Sequence, residues 1–158
     1  MCGIVGYYGK KSPKDVLLQG LKKLEYRGYD SAGVAIRNNE SFDVYRAAGK
    51  LAELDSKLSD VTFDGNIGIG HTRWATHGKP TESNAHPHKA KGVSLVQNGI
   101  IENYAELKVE LMAQGAQFTS ETDTEVVTHL IAFELEKSEN LIQAVQSIIP
   151  RLRGAYAI

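Results

Sequence analysis

The chain holds one cysteine in 158 residues, so no internal disulfide can staple it. That fits a reducing, cytoplasmic setting. There is little net charge: 18 basic against 19 acidic side chains, a balance of −1. No stretch is basic enough to suggest a nucleic-acid partner. No apolar run approaches membrane-spanning length. The N-terminus has no positive leader ahead of its apolar residues and does not read as a signal peptide. Repeats, low-complexity tracts and linkers are missing too. H-E-x-x-H and paired-cysteine spacings are also lacking, so neither a metal nor another cofactor is expected, even though His71, His77, His86 and His88 crowd one segment. What remains is an ordinary globular composition, 42% hydrophobic and 23% charged, of a length that suits one domain with a real core.

The lone cysteine sits at position two and opens the run Cys2-Gly3-Ile4-Val5-Gly6. Aminopeptidases commonly trim an initiator methionine before a small side chain. Loss of Met1 leaves one residue with a thiol (~8.5) and an α-amine (~7.7–8.0), a nucleophile and a base together. On position alone, Cys2 reads rather as a small apolar residue at the start of a buried strand.

The apolar pattern predicts a buried strand over Cys2–Tyr8, then a helix capped by Ser12 with Pro13 at its first position and Leu17, Leu21 and Leu24 on one face. Glu25–Gly33 reads as a polar, glycine-punctuated loop. Val34–Ile36 and Phe42–Tyr45 read as a hairpin turning at Asn38-Asn39, followed by a short helix on Leu51, Leu54 and Leu58. Asn66–Gly70 is the next strand, and His71–Lys91 a long aperiodic segment of the kind that carries function. Val93–Val96 is a strand ending in the turn Gln97-Asn98-Gly99. Asn103 and Glu106 form a capping box for a helix through Leu107 and Leu111 that Gly115 stops. Thr122 or Asp123 caps a helix with Val127, Leu130 and Ile131 inward. Leu141, Val145, Ile148 and Leu152 make a last helical face disturbed by Pro150. Gly154–Ile158 reads as a strand that has only begun, so the fold is expected to continue beyond it. Strand groups with helix pairs between them predict an α+β fold in layers.

Several polar groups ask for chemistry. Arg73 offers a planar fork for a carboxylate, with Thr72, Thr76, His77 and Gly78 beside it. Alone it would be a surface arginine beside a half-buried Trp74. Asn98-Gly99 is a plain tight turn, or an oxyanion hole made of the Asn98 amide and the Gly99 N–H. Asp123 is a helix cap, or a carboxylate that grips an ammonium, and both can hold. Thiol, amine base, oxyanion donors, a carboxylate fork and an ammonium acceptor together suit an amino acid amide, with glutamine the natural candidate.

Cys2–Gly6, Glu25–Gly33, His71–Gly78, Asn84–His88, Gln97–Asn103 and Ser120–Val126, in that order, resemble the glutaminase domains of the glucosamine-6-phosphate synthases. These are class II glutamine amidotransferases within the N-terminal-nucleophile (Ntn) hydrolases. The resemblance runs the length of the chain. It implies an α+β, four-layer αββα sandwich with two antiparallel sheets, cut short at its C-terminal end, with residues 1–158 forming one incomplete amidotransferase domain. It implies Cys2 as nucleophile with its own amine as base, and Asn98 and Gly99 as oxyanion donors. Arg73, Thr76 and His77 would hold the α-carboxylate of glutamine and Asp123 its α-amine. Arg27 would orient the terminus, Trp74 would belong to a loop closing over the substrate, and His86 would sit at the rim. A sugar-phosphate isomerase domain, absent from this chain, would be the partner that receives ammonia, in a homodimer when full length. Tyr26, Tyr29 and Trp74–Gly78 look like the hexosamine enzyme rather than its purine-pathway relative. A papain-like hydrolase pairing Cys2 with His71, His77 or His86, and a non-catalytic binding module, are the rivals from other classes.

Overall fold

The apolar alternation of the first half builds one four-stranded antiparallel sheet. The computed structural model describes residues 2–39, 41–75 and 79–158. Strands β1 (Gly3–Tyr8), β2 (Ser31–Asn38), β3 (Ser41–Ala48) and β4 (Ile67–Arg73) lie in the order β1-β4-β2-β3. Side chains alternate across a strand, so Ala32, Val34 and Ile36 face one way. They meet Leu17 and Leu21 of α1 (Pro13–Leu24) and Leu51, Leu54 and Leu58 of or beside α2 (Leu51–Lys57). Leu17, Leu21, Leu54 and Leu58 are fully buried, each stabilising the layer by roughly 1.5–3 kcal/mol. Gly68 and Gly70 of β4 lie against Leu17 and Leu21, so the alternate positions Ile69, His71 and Arg73 face the other side of the sheet.

The second half covers that other side. It holds the antiparallel pairs β5 (His88–Ala90) with β6 (Val93–Leu95) and β7 (Asn98–Ile101) with β8 (Gly154–Ala157). Around them pack α3 (Tyr104–Ala113), α4 (Asp123–Leu135) and α5 (Leu141–Ile148). Their core contains Ile101, Leu107, Leu111, Val126, Val127, Leu130, Ile131 and Ile148. α4 is buried on every side from Asp123 to Ala132, and its N-cap Thr122 accepts from the Glu125 N–H at 3.4 Å. Helices α1 and α2 cover one face of the first sheet, and the second half covers the other. The inner second layer is two separate strand pairs among the described residues, because β7 is joined only to β8.

The sequence pattern breaks down where polar residues occupy strand positions. β1 is half-buried at a sheet edge rather than fully buried. The loop expected over Glu25–Gly33 is a 3₁₀ turn at Glu25–Arg27 and then the start of β2. His71–Arg73 complete β4, and His88–Ala90 form β5. Asn38 pairs with Ser41, so the hairpin turns one residue later, with Asn39 left-handed at φ 53°. Asn98-Gly99 opens a strand instead of making a turn. Asn103 stands at the start of α3 without capping it. Its side chain donates to the Arg151 carbonyl at 2.9 Å and accepts from Arg153 N–H at 3.0 Å, which secures β8. Leu141 is exposed, leaving Ala144, Ile148 and Leu152 as the buried face of the last helical segment. No helix among the described residues is long and apolar enough to cross a membrane.

Candidate active site

The register of β1 on β4, Gly3 opposite Thr72, lays Cys2 beside the end of β4. The start of β7 and the first turn of α4 approach from the second layer. Between them lies a cavity lined by Cys2, Arg73, Trp74, His86, Gly99, Thr122, Asp123 and Thr124. Its volume is about 20 Å³, room for one water molecule. A groove of about 380 Å³ between α1 and α2 is far larger but is lined by Leu18, Gln19, Lys22, Glu25 and Asp55, with no nucleophile.

Main chain seats the thiol. Trp74 N–H donates to Cys2 Sγ at 3.2 Å, and the thiol faces the Trp74 carbonyl at 3.5 Å. No histidine ring bonds that sulfur among the described residues. Asn98 Nδ2 donates to the Cys2 carbonyl at 3.3 Å, tying β7 to the chain start. Gly99 has φ 102°, and a Cβ there would stand 2.1 Å from the Ala155 carbonyl oxygen, so only glycine lets β8 pair at this point.

Two charged side chains are buried in the same walls. Arg73 is 4% exposed and Asp123 is 5% exposed. Arg73 Nη1 donates to the Lys79 carbonyl at 3.3 Å. Burial lowers the guanidinium's proton affinity, and the nearby carboxylates of Asp30 and Asp123 oppose that. Asp123 Oδ2 accepts from Gln97 Nε2 at 3.0 Å and from Ile101 N–H at 2.8 Å. No hydrogen bond reaches its other oxygen among the described residues.

Beneath the cavity the His71 ring stacks on His86 at 4.1 Å between centroids, and His86 meets His88 edge-on at 5.0 Å. His71 Nε2 lies 3.0 Å from both the Gln97 carbonyl and Asn98 Oδ1. Gln97 N–H donates to His86 Nδ1 at 3.4 Å, and His88 Nε2 meets Thr122 Oγ1 at 2.9 Å. Desolvation lowers all three imidazoles, His71 to about 4, and so favours the neutral rings; the nearby Glu125 charge opposes this at His88. Glu125 itself is held below its usual value, because bonds from Ser120 and Thr119 outweigh the burial that would raise it. No group of three or more metal-ligating side chains is disposed around a common point among the described residues.

Cys2, Arg73, Trp74, Gly99 and Asp123 thus meet in one place, with Asn98 bonded at its edge. His86 forms a buried wall, 5% exposed, rather than the expected rim. Arg27 sits half-buried in the 3₁₀ turn and is not among the residues that line the cavity. Thr76 and His77 lie outside the described residues, as does Met1. Trp74 is 48% exposed and meets Tyr29 edge-on at 5.5 Å. Two residues escaped sequence reasoning. Gln97 links three groups of the site by its amide, carbonyl and side chain. Asp30 bonds Ala75 N–H and Ser31 Oγ by its carboxylate, and its own N–H donates to the Arg73 carbonyl at 3.2 Å, which clamps the end of β4. A polar residue at a strand end carries no sequence signal for such roles.

Residues 35–158 match the family described as a glutamine amidotransferase domain. The whole chain is 54% identical over 158 residues to the glutamine–fructose-6-phosphate aminotransferase (isomerizing) of Acinetobacter baylyi, and 53% identical over 160 residues to that of Thermococcus kodakarensis. It spans 26% and 27% of their lengths, about a quarter of the curated relatives it matches. Among solved structures, the glutamine phosphoribosylpyrophosphate amidotransferase of B. subtilis superposes with a TM-score of 0.80 at 29% identity, covering 99% of this chain and 34% of its own. Agreement in sequence over the full 158 residues, joined to that agreement in backbone, makes the chain a member of the glutamine amidotransferase domain family with an Ntn-hydrolase fold.

Proposed function

We propose that the chain is the glutamine-hydrolysing domain of a glutamine–fructose-6-phosphate aminotransferase, releasing ammonia from glutamine for the synthesis of glucosamine 6-phosphate. One observation carries this reading: a thiol, a buried carboxylate and a buried guanidinium share the walls of one cavity. After removal of Met1, Cys2 Sγ attacks the side-chain carbonyl of glutamine. The α-amine takes the thiol proton and returns it to the departing nitrogen, which leaves as ammonia. The resulting thioester is cleaved by water to give glutamate and the free thiol. Asn98 Nδ2 and the Gly99 N–H hold the oxyanion in both steps. Arg73, with Thr76 and His77, takes the α-carboxylate, and the open oxygen of Asp123 takes the α-ammonium. Arg27 orients the terminus, Trp74 covers the bound amino acid, and His86 walls the cavity.

The acceptor domain, a sugar-phosphate isomerase, belongs in the part of the relatives' length that this chain does not span. A cytoplasmic homodimer is the assembly that goes with it. The purine-pathway alternative is supported by backbone likeness at 29% identity, against 54% for the hexosamine relatives. The papain-like alternative is disfavoured by the Trp74 main-chain seat of the Cys2 sulfur.

Intact mass spectrometry of the full-length polypeptide tests the reading. The expected result is loss of Met1 and one covalent adduct on Cys2 from a glutamine-shaped electrophile, with glutamine protecting. Retention of Met1 in protein that still hydrolyses glutamine would overturn it.

A further inference from the structure

We infer that His71 is a positioning residue that fixes which atom of the Asn98 carboxamide faces the reacting carbonyl, an inference that rests on the proposed glutaminase reading. The Gln97 carbonyl can only accept a hydrogen bond. It lies 3.0 Å from His71 Nε2, so that nitrogen carries the hydrogen. The same nitrogen is 3.0 Å from the Asn98 side chain, and the atom there must therefore be the acceptor, Oδ1. The NH₂ group is turned the other way and donates to the Cys2 carbonyl at 3.3 Å, again toward an acceptor. Both ends of the amide select one orientation. Its second N–H is left for the site.

Without this bond a carboxamide can rotate about its terminal torsion and present oxygen instead of N–H. Oxygen facing a developing oxyanion would repel it. The His71 ring is itself fixed, because it is fully buried and stacks on His86 at 31° between planes. His71 Nδ1 is buried with no hydrogen-bond partner among the described residues, which suits the unprotonated nitrogen of the Nε2–H tautomer. Desolvation keeps that ring neutral over the physiological range.

Glutamine hydrolysis by the full-length polypeptide provides the test. His71→Leu removes the donor and should lower kcat about tenfold with KM unchanged, a fraction of the ~10²–10³ cost of deleting an oxyanion donor. His71→Gln, whose amide nitrogen reaches the place of Nε2, should recover most of the rate; His71→Asn, whose nitrogen falls short, should not. In an Asn98→Ala background His71→Leu should cost nothing further. Should His71→Leu fail to fold, the Gln and Asn variants decide alone. Equal rates for those two, a full rate for His71→Leu, or an undiminished His71 effect without Asn98 would overturn the inference. An Asn98→Ala protein as fast as wild type would instead sink the oxyanion reading beneath it. A slow Asn98→Ala with fast His71 variants would remove His71 alone.

Discussion

The Trp74 amide nitrogen stands 3.2 Å from the Cys2 sulfur, so the main chain at the end of β4, not a side chain, sets where the thiol points. What supports that main chain therefore supports the nucleophile. Gly28 packs closely against it. A Cβ at Gly28 would lie 2.8 Å from Arg73 C and 3.0 Å from Trp74 N. Gly28→Ala should displace the Trp74 amide and slow glutamine hydrolysis roughly tenfold or more, since a misplacement of ~1 Å can cost ~10²-fold. Steady-state rates, with circular dichroism as the folding control, check this. A folded Gly28→Ala protein with an unchanged rate would detach the loop from the thiol.

Asn98→Ala should lower kcat by ~10²–10³ through loss of one oxyanion donor. Single-turnover kinetics would place the loss in acylation. An unaltered acylation rate would return Asn98 to a purely structural part.

Much of the scaffold was legible in the chain. Leu17, Leu21, Leu51, Leu54 and Leu58 announced both outer helices by spacing, and the capping chemistry of Thr122 or Asp123 announced α4, with Thr122 the cap. The site was legible only by residue type. His71 and Arg73 continue the alternation of β4 with polar side chains, which a hydrophobic pattern reads as the end of a strand. Asn103 looked like a cap because its neighbours fit one, yet its bonds go to Arg151 and Arg153, far along the chain. β7 pairs with β8 across a similar separation, a contact no local rule foresees. Non-local pairing and polar burial are what the linear pattern hides.

The two ends of glutamine should respond differently from its reacting amide. Asp123→Asn keeps an oxygen for Gln97 and Ile101 but loses the charge, and charge-assisted bonds are worth ~1.5–3 kcal/mol. Arg73→Lys loses the bidentate fork. Each should raise the glutamine KM by about tenfold or more with a smaller change in kcat. Initial-rate measurements over a wide glutamine range separate these. An unmoved KM in either variant would take that residue out of substrate binding.

Gly99→Ala should destabilise the fold by about 2 kcal/mol or more, because a left-handed φ is imposed on alanine and its methyl meets the β8 backbone. Urea midpoints for Gly99→Ala and for Gly92→Ala, also left-handed but in open space, separate strain from collision. The Gly99 variant should fall well below the Gly92 variant. Equal midpoints would mean that β8 yields freely.

Acid should unfold the protein through its buried histidines. His71 is lowered from 6.5 to about 4, and His86 and His88 are lowered as well, by desolvation first in all three, with the Arg73 charge adding at each. The unfolded chain takes up these protons near pH 6.5 while the folded chain refuses them. The stability is thus complete above pH 6.5 and is lost as pH falls, His71 alone removing about 3 kcal/mol by pH 4. Glu125, held below its usual value, acts in the same direction nearer pH 4.5. Urea unfolding at pH 7.5, 6 and 5 should show stability falling with a slope that approaches about three protons or more taken up on unfolding, since burial lowers His129 too. His71→Gln, which has nothing to titrate there, should lessen that slope by about one proton. A stability flat from pH 7.5 to 5 would mean that these imidazoles reach water in the folded state, and with it the neutral His71 donor beneath Asn98 would be lost.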